Sequence, residues 1–182
     1  MYLKVLLSGM ILCLLSFNGW AGSTAPMRDD GIYSYESFAG GRIEIRNEGA
    51  VIFGDFGVKA TICGSHSNYF CVNASRAFYF AVPKHFSDTD RSWTVYGHKY
   101  ELVSAIRWMM VIGNVIPVAI ISTTDRAHNG DTATRYFYYS PKIGLIAFED
   151  RLKVLPGNPA RKSYKSPDLY VLNENIGFGA NN

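Results

Sequence analysis

Short runs in which apolar and polar residues alternate, each closed by glycine or a turn pair, recur along the chain from residue 31 onward. A period of two with punctuation every few residues predicts strands joined by hairpins. Residues 31–38 end at Gly40-Gly41, and residues 42–46 alternate strictly before Asn47-Glu48-Gly49, so a meander opens the fold. Residues 50–63 are apolar with glycines at 54 and 57, which predicts one long strand bent by a bulge or two short ones. Residues 69–72 and 77–82 follow as strands, the second placing Phe78, Phe80 and Val82 on one face and Tyr79 and Ala81 on the other. Pro83 closes it, and residues 84–91 form a polar connection.

Residues 93–96 are strand-like again, with Gly97-His98 as the turn. Residues 100–112 pull in two directions. Glu101, Ser104 and Arg107 recur every third position, as on a helix, whereas Gly113-Asn114 is a hairpin signal between two apolar runs. The hairpin signal favours strands, and Pro117 then requires an edge position or a bulge. Residues 102–121 have the length of a membrane span, but Arg107, Asn114 and Pro117 interrupt it, so two core strands are the expected reading.

Asp125 to Asp131 reads as a loop tip with an Asn-Gly turn. Residues 134–139 and 144–148, joined through Ser140-Pro141, predict a hairpin whose first arm is aromatic on both faces: Phe137 and Tyr139 on one, Tyr136 and Tyr138 on the other. Residues 151–167 carry Arg151, Lys153, Arg161, Lys162 and Lys165 among three prolines and are expected to be a mobile, solvated crossing. A last strand is expected over residues 168–172 and a frayed tail over 177–182. The fold class expected is therefore mainly β: an antiparallel sheet, sandwich or partly closed barrel, with at most one or two short helices.

The N-terminus changes the picture. Lys4 precedes an apolar run over residues 5–17, too short for a bilayer helix, and Gly19-Trp20-Ala21 fits a small-x-small cleavage site. Residues 1–21 are thus expected to be a removable export signal, leaving a single domain over residues 22–176 in the periplasm or outside the cell. Three cysteines then become two, because Cys13 leaves with the signal. Cys63 and Cys71 are expected to form a disulfide closing the loop 64–70. A metal site using Cys63, His66 and Cys71 is the competing reading, but it lacks a fourth ligand and needs reduced thiols.

Charge adds little. The chain holds 18 basic and 15 acidic side chains, and loss of Lys4 leaves the domain near balance, which argues against nucleic-acid binding. The four histidines, at 66, 85, 98 and 128, fall in turns without metal-ligand spacing. Ser65 adjoins His66 but no nucleophile elbow surrounds it. Asp88 and Asp90, like Asp29 and Asp30, read as solvated turn carboxylates. Asn73-Ala74-Ser75 is a glycosylation sequon, relevant only in a eukaryotic secretory pathway. No cofactor or metal is expected.

What remains is an aromatic-rich sheet. Its leading expected role is non-catalytic recognition of another protein in the periplasm or envelope, as by an immunity or inhibitor protein or an assembly accessory, with Tyr136, Tyr138, His66 and Tyr69 as candidate contacts. A carrier of an apolar or lipid ligand is the second class. The third is a small hydrolase, which would require two histidines to converge with an acid in one cleft.

Overall fold

The computed structural model describes residues 31–111, 114–126, 132–153 and 168–181. It is mainly β, with no helix among the described residues. The strands are β1 (Ile32–Ser37), β2 (Arg42–Arg46), β3 (Ala50–Phe53), β4 (Phe56–Lys59), β5 (Thr61–Ile62), β6 (Tyr69–Ala74), β7 (Phe78–Pro83), β8 (Ser92–Val95), β9 (His98–Val111), β10 (Asn114–Arg126), β11 (Thr132–Ser140), β12 (Gly144–Lys153) and β13 (Leu169–Leu172). Ten of them form one antiparallel sheet in the order β4-β3-β2-β1-β13-β12-β11-β10-β9-β8, and β5-β6-β7 form a second, smaller one. The large sheet does not close into a barrel: β4 and β8 remain its edges.

The stretch 50–63 resolves into three pieces. β3 and β4 make a hairpin at Gly54, and after the buried Ala60 the chain leaves the large sheet to begin the small one. The two sheets share a core. Tyr35, Ile43, Ile45 and Val51 from β1–β3 join Phe137, Tyr139, Leu145 and Phe148 from β11 and β12 around Phe78, Phe80 and Val82 of β7. Strand β7 is buried on both faces, because the indole of Trp93 reaches over it and donates to the carbonyl of Ala81 at 3.0 Å. Alternation along β11 holds: Phe137 and Tyr139 are fully buried on the inner face while Tyr136 and Tyr138 are half-buried on the outer one.

Residues 100–111 belong to strand β9, so the hairpin signal outweighed the period-three polar pattern. Both requirements of Pro117 are met. Strand β11 pairs with β10 only from Ala119 onward, leaving Pro117 opposite Trp108 on a one-sided edge, and the register shifts between Val118 and Ile120. The consequence contradicts the reading of this hairpin as two core strands. Arg107–Val111 and Asn114–Val118 run past the end of β11 as a two-stranded arm, and Trp108, Met110 and Val115 are 72%, 76% and 60% exposed.

The expected frayed tail is also corrected. Residues 177–181 lie along the β11–β12 turn, where the amide of Gly177 donates to Ile143, that of Leu145 to Phe178 and that of Asn181 to Pro141. Glycine makes this approach possible: a Cβ on Gly177 would sit 2.0 Å from the carbonyl oxygen of Leu145, inside any real contact. The segment is held because Phe178 fills the core beside Phe80 and Tyr33. The segment expected to be an export signal, residues 127–131 with His128, and most of the basic crossing at 154–167 lie outside the described residues.

Candidate functional site

The large sheet has an inner face committed to the core and an outer face of mixed character. Over β1–β3 the outer face is polar, with Arg42, Glu44 and Arg46 linked by ion pairs of 2.7 and 2.8 Å. Over β10–β13 it is apolar. Antiparallel register sets Ile120, Tyr138, Ala147 and Val171 in one row across four strands, on the same face because paired residues point the same way. Ile116 and Val118, at the root of the arm, pack on Ile146 and Ala147. The arm therefore folds back over the sheet.

Between them is a groove of about 360 Å³, with Met109 and Met110 on the arm side and Tyr138, Ile146, Ala147, Leu169 and Val171 beneath. Its polar margin comes from β12. Glu149 is only 7% exposed; it accepts from the Tyr138 hydroxyl at 3.1 Å and from Arg151 at 2.5 Å, and Arg151 lies 4.8 Å from the centre of the Tyr136 ring. Burial, then the neighbouring Glu149 charge, push the Tyr138 phenol above its ordinary range, so it remains a neutral donor. Tyr136 and Tyr138 thus lie together at this margin.

The other two candidates lie elsewhere. Cys63 and Cys71 are bonded, with Cα atoms 5.0 Å apart, at the start of the small sheet. Beside them His66 is exposed and Tyr69 half-buried, opposite Pro83 of β7. The disulfide, Tyr33, Phe70, Lys84 and Phe178 line a second depression of about 250 Å³. Lys84 closes one side of it by donating to the carbonyl of Ser65 at 2.6 Å. Neither His66 nor Tyr69 shares a surface with Tyr136 and Tyr138.

A polar cluster that the sequence reading missed closes one end of the core. Arg135 of β11 makes a two-pronged pair with Asp150 of β12, at 2.5 and 2.7 Å, and its guanidinium lies over the rings of Phe78 and Tyr79. Burial alone would lower the guanidinium's pKa, but the Asp150 carboxylate overrides it and leaves it raised. The Tyr79 hydroxyl donates to Asp125, and His98 stacks on the Tyr79 ring at 3.7 Å with Nδ1 3.6 Å from the same carboxylate. Tyr79 belongs to the small sheet and the others to the large one, so the cluster ties the two together. It is also the one place among the described residues where a histidine approaches an acid: His66 and His85 are exposed and far apart in the chain. Asp90 accepts from the amide of Ser87, as a turn carboxylate does. Among the described residues no three His, Cys, Asp or Glu side chains are grouped so as to hold a metal ion.

Missing Arg135 and Asp150 is understandable, since a cross-strand pair depends on register and they are 15 residues apart. The arm had a sequence signal: Arg107 is the only charged side chain between Leu102 and Thr124. No family model matches the chain, and neither the curated proteins nor the solved structures yield a significant match.

Proposed function

We propose that this chain is an exported, non-catalytic binding protein that receives an apolar segment of a partner protein in the groove between the arm and the outer sheet face. The observation that supports this most is the groove's construction. A rigid floor of β-strand side chains is roofed by two methionines, whose unbranched, polarizable side chains adapt to what they contact. Tyr136 and Tyr138 at the margin supply the amphipathic rings that carry binding energy at interfaces. An inhibitor of an envelope hydrolase or an accessory of envelope assembly would use such a surface.

The groove's apolar lining equally favours one other reading, a carrier of a lipid-like ligand. Its size falls within the range of small-molecule sites, about 300–1,000 Å³. The two readings part in one experiment. A photo-reactive residue at Val171 should crosslink to a protein of the envelope extract in a 1:1 adduct, and Leu169→Glu should abolish the adduct while the far-UV spectrum is unchanged. A co-purifying lipid lost on Leu169→Glu, with no protein adduct, would establish the carrier instead. An adduct indifferent to Leu169→Glu would refute both.

A further inference from the structure

We infer, resting on the groove as the binding site, that Glu149 is its specificity-determining residue and selects an apolar segment that carries a basic side chain. Alternate residues of β12 share the outer face, so Ala147, Glu149 and Arg151 follow one another at steps of about 7 Å. Ala147 belongs to the groove floor, and Leu169, also part of its lining, pairs with Glu149 from β13. Glu149 is thus the first charged side chain met on leaving the apolar floor along β12. Arg151 stands behind it, away from the groove.

The carboxylate is committed on one oxygen only. The Tyr138 hydroxyl and Arg151 Nη2 both donate to Oε1, at 3.1 and 2.5 Å, whereas no described residue donates to Oε2. Tyr138, kept protonated by burial and by the Glu149 charge, directs its one hydrogen into Oε1 and has no other to offer the groove. What this margin presents is an acceptor. The Glu149 side chain is already nine-tenths buried, so an occupant that covers it removes the remaining water and leaves Oε2 unsatisfied unless the occupant donates to it. An ammonium or guanidinium supplies both the donor and the opposite charge, and a carboxylate or phosphate supplies neither.

The other charges near the groove weigh less. Arg151 offsets Glu149 in formal charge, but its side chain is 55% exposed against 10% for Glu149, so solvent screens the cation more than the carboxylate. Arg107, whose strand partner Val118 lines the groove, is at the root of the arm on β9, three strands away from Glu149, and is exposed. A solvated cation there adds little to the choice of occupant. Of the two readings of the groove, Glu149 therefore favours a peptide segment with a lysine or arginine next to apolar residues over a fatty acid or an anionic phospholipid.

The test is calorimetric titration of the purified protein at neutral pH with two probes of equal chain length, decylammonium chloride and sodium decanoate, below their micelle concentrations. A hydrogen bond to a charged group changes affinity by about tenfold or more, so decylammonium should bind at least about tenfold more tightly than decanoate. Glu149→Gln should remove most of that preference, whereas Leu169→Ser should weaken both probes alike and preserve their ratio. A variant that is merely less stable would bind both probes less without changing the ratio. Equal affinity for the two probes in the wild type, with both weakened by Leu169→Ser, keeps the groove as a binding site and overturns the role of Glu149. So does a preference that Glu149→Gln leaves intact. Failure of both probes to bind, or binding indifferent to Leu169→Ser, overturns the groove as the binding site and the role of Glu149 with it. If Glu149→Gln does not fold, the wild-type ratio decides alone.

Discussion

Replacing Phe178 by alanine tests whether the last residues are part of the fold. The side chain is 4% exposed and meets Tyr33 edge-on at 5.6 Å and Phe80 at 6.3 Å. Truncating a buried phenylalanine costs about 3–5 kcal/mol, through lost transfer free energy and the cavity left behind. The neighbouring backbone bonds restrain collapse of that cavity. The amide of Phe178 donates to the Tyr35 hydroxyl and its carbonyl accepts from Leu145, while Tyr35 also donates to the Leu145 carbonyl at 3.1 Å. The expected loss is therefore about 3–4 kcal/mol, a large share of the roughly 5–15 kcal/mol that holds a domain folded. In urea, with a slope of about 2 kcal/mol/M, the midpoint should fall by about 1.5–2 M. Phe38→Ala is the control, because Phe38 is 91% exposed and its loss should change stability by less than about 0.5 kcal/mol. A Phe178→Ala protein indistinguishable from the Phe38→Ala control, with the same slope, would refute the assignment of the C-terminal segment to the core.

Two further outcomes are expected. Reducing the Cys63–Cys71 bond, which spans a sequence separation of 8, should lower stability by about 2–3 kcal/mol as the unfolded chain regains loop entropy; thermal melts with and without reductant check it, and free thiols at both positions in the protein purified without reductant would contradict the pairing. Burial raises the phenols of Tyr35, Tyr79, Tyr100 and Tyr139 above their ordinary range, with the Asp125 carboxylate adding to Tyr79. Since the folded state resists ionisation that the unfolded state undergoes near pH 10, stability is fully present below about pH 10 and is lost as pH rises beyond it. Absorbance at 295 nm followed with far-UV dichroism should show these tyrosines ionising only as the sheet unfolds, and ionisation of every tyrosine near pH 10 in a still-folded protein would oppose this.

How far the sequence went follows from the range of the forces involved. Strand identity is local: alternation over residues 42–46, glycine at 54 and 144, and the Asn-Gly and Ser-Pro punctuation each act within a few residues, and they specified a mainly β chain with the right hairpins. The pairing of Cys63 with Cys71 was equally legible, because two cysteines only eight residues apart on either side of a polar loop close it readily. The same period of two separated Phe137 and Tyr139 from Tyr136 and Tyr138, since alternation assigns faces before anything is known of what covers them.

What covers them is a tertiary matter. Which strand of a sheet outruns its neighbour depends on register across β10 and β11, so an apolar hairpin that composition assigned to the core emerges as an exposed arm over a groove. Arg135 and Asp150 meet only because β11 and β12 align, and Phe178 is buried only because two glycine backbones let the C-terminal segment approach Leu145. Local alternation determines that a residue faces one side of a sheet. Only the packing of distant segments decides whether that side meets a core, a groove or solvent.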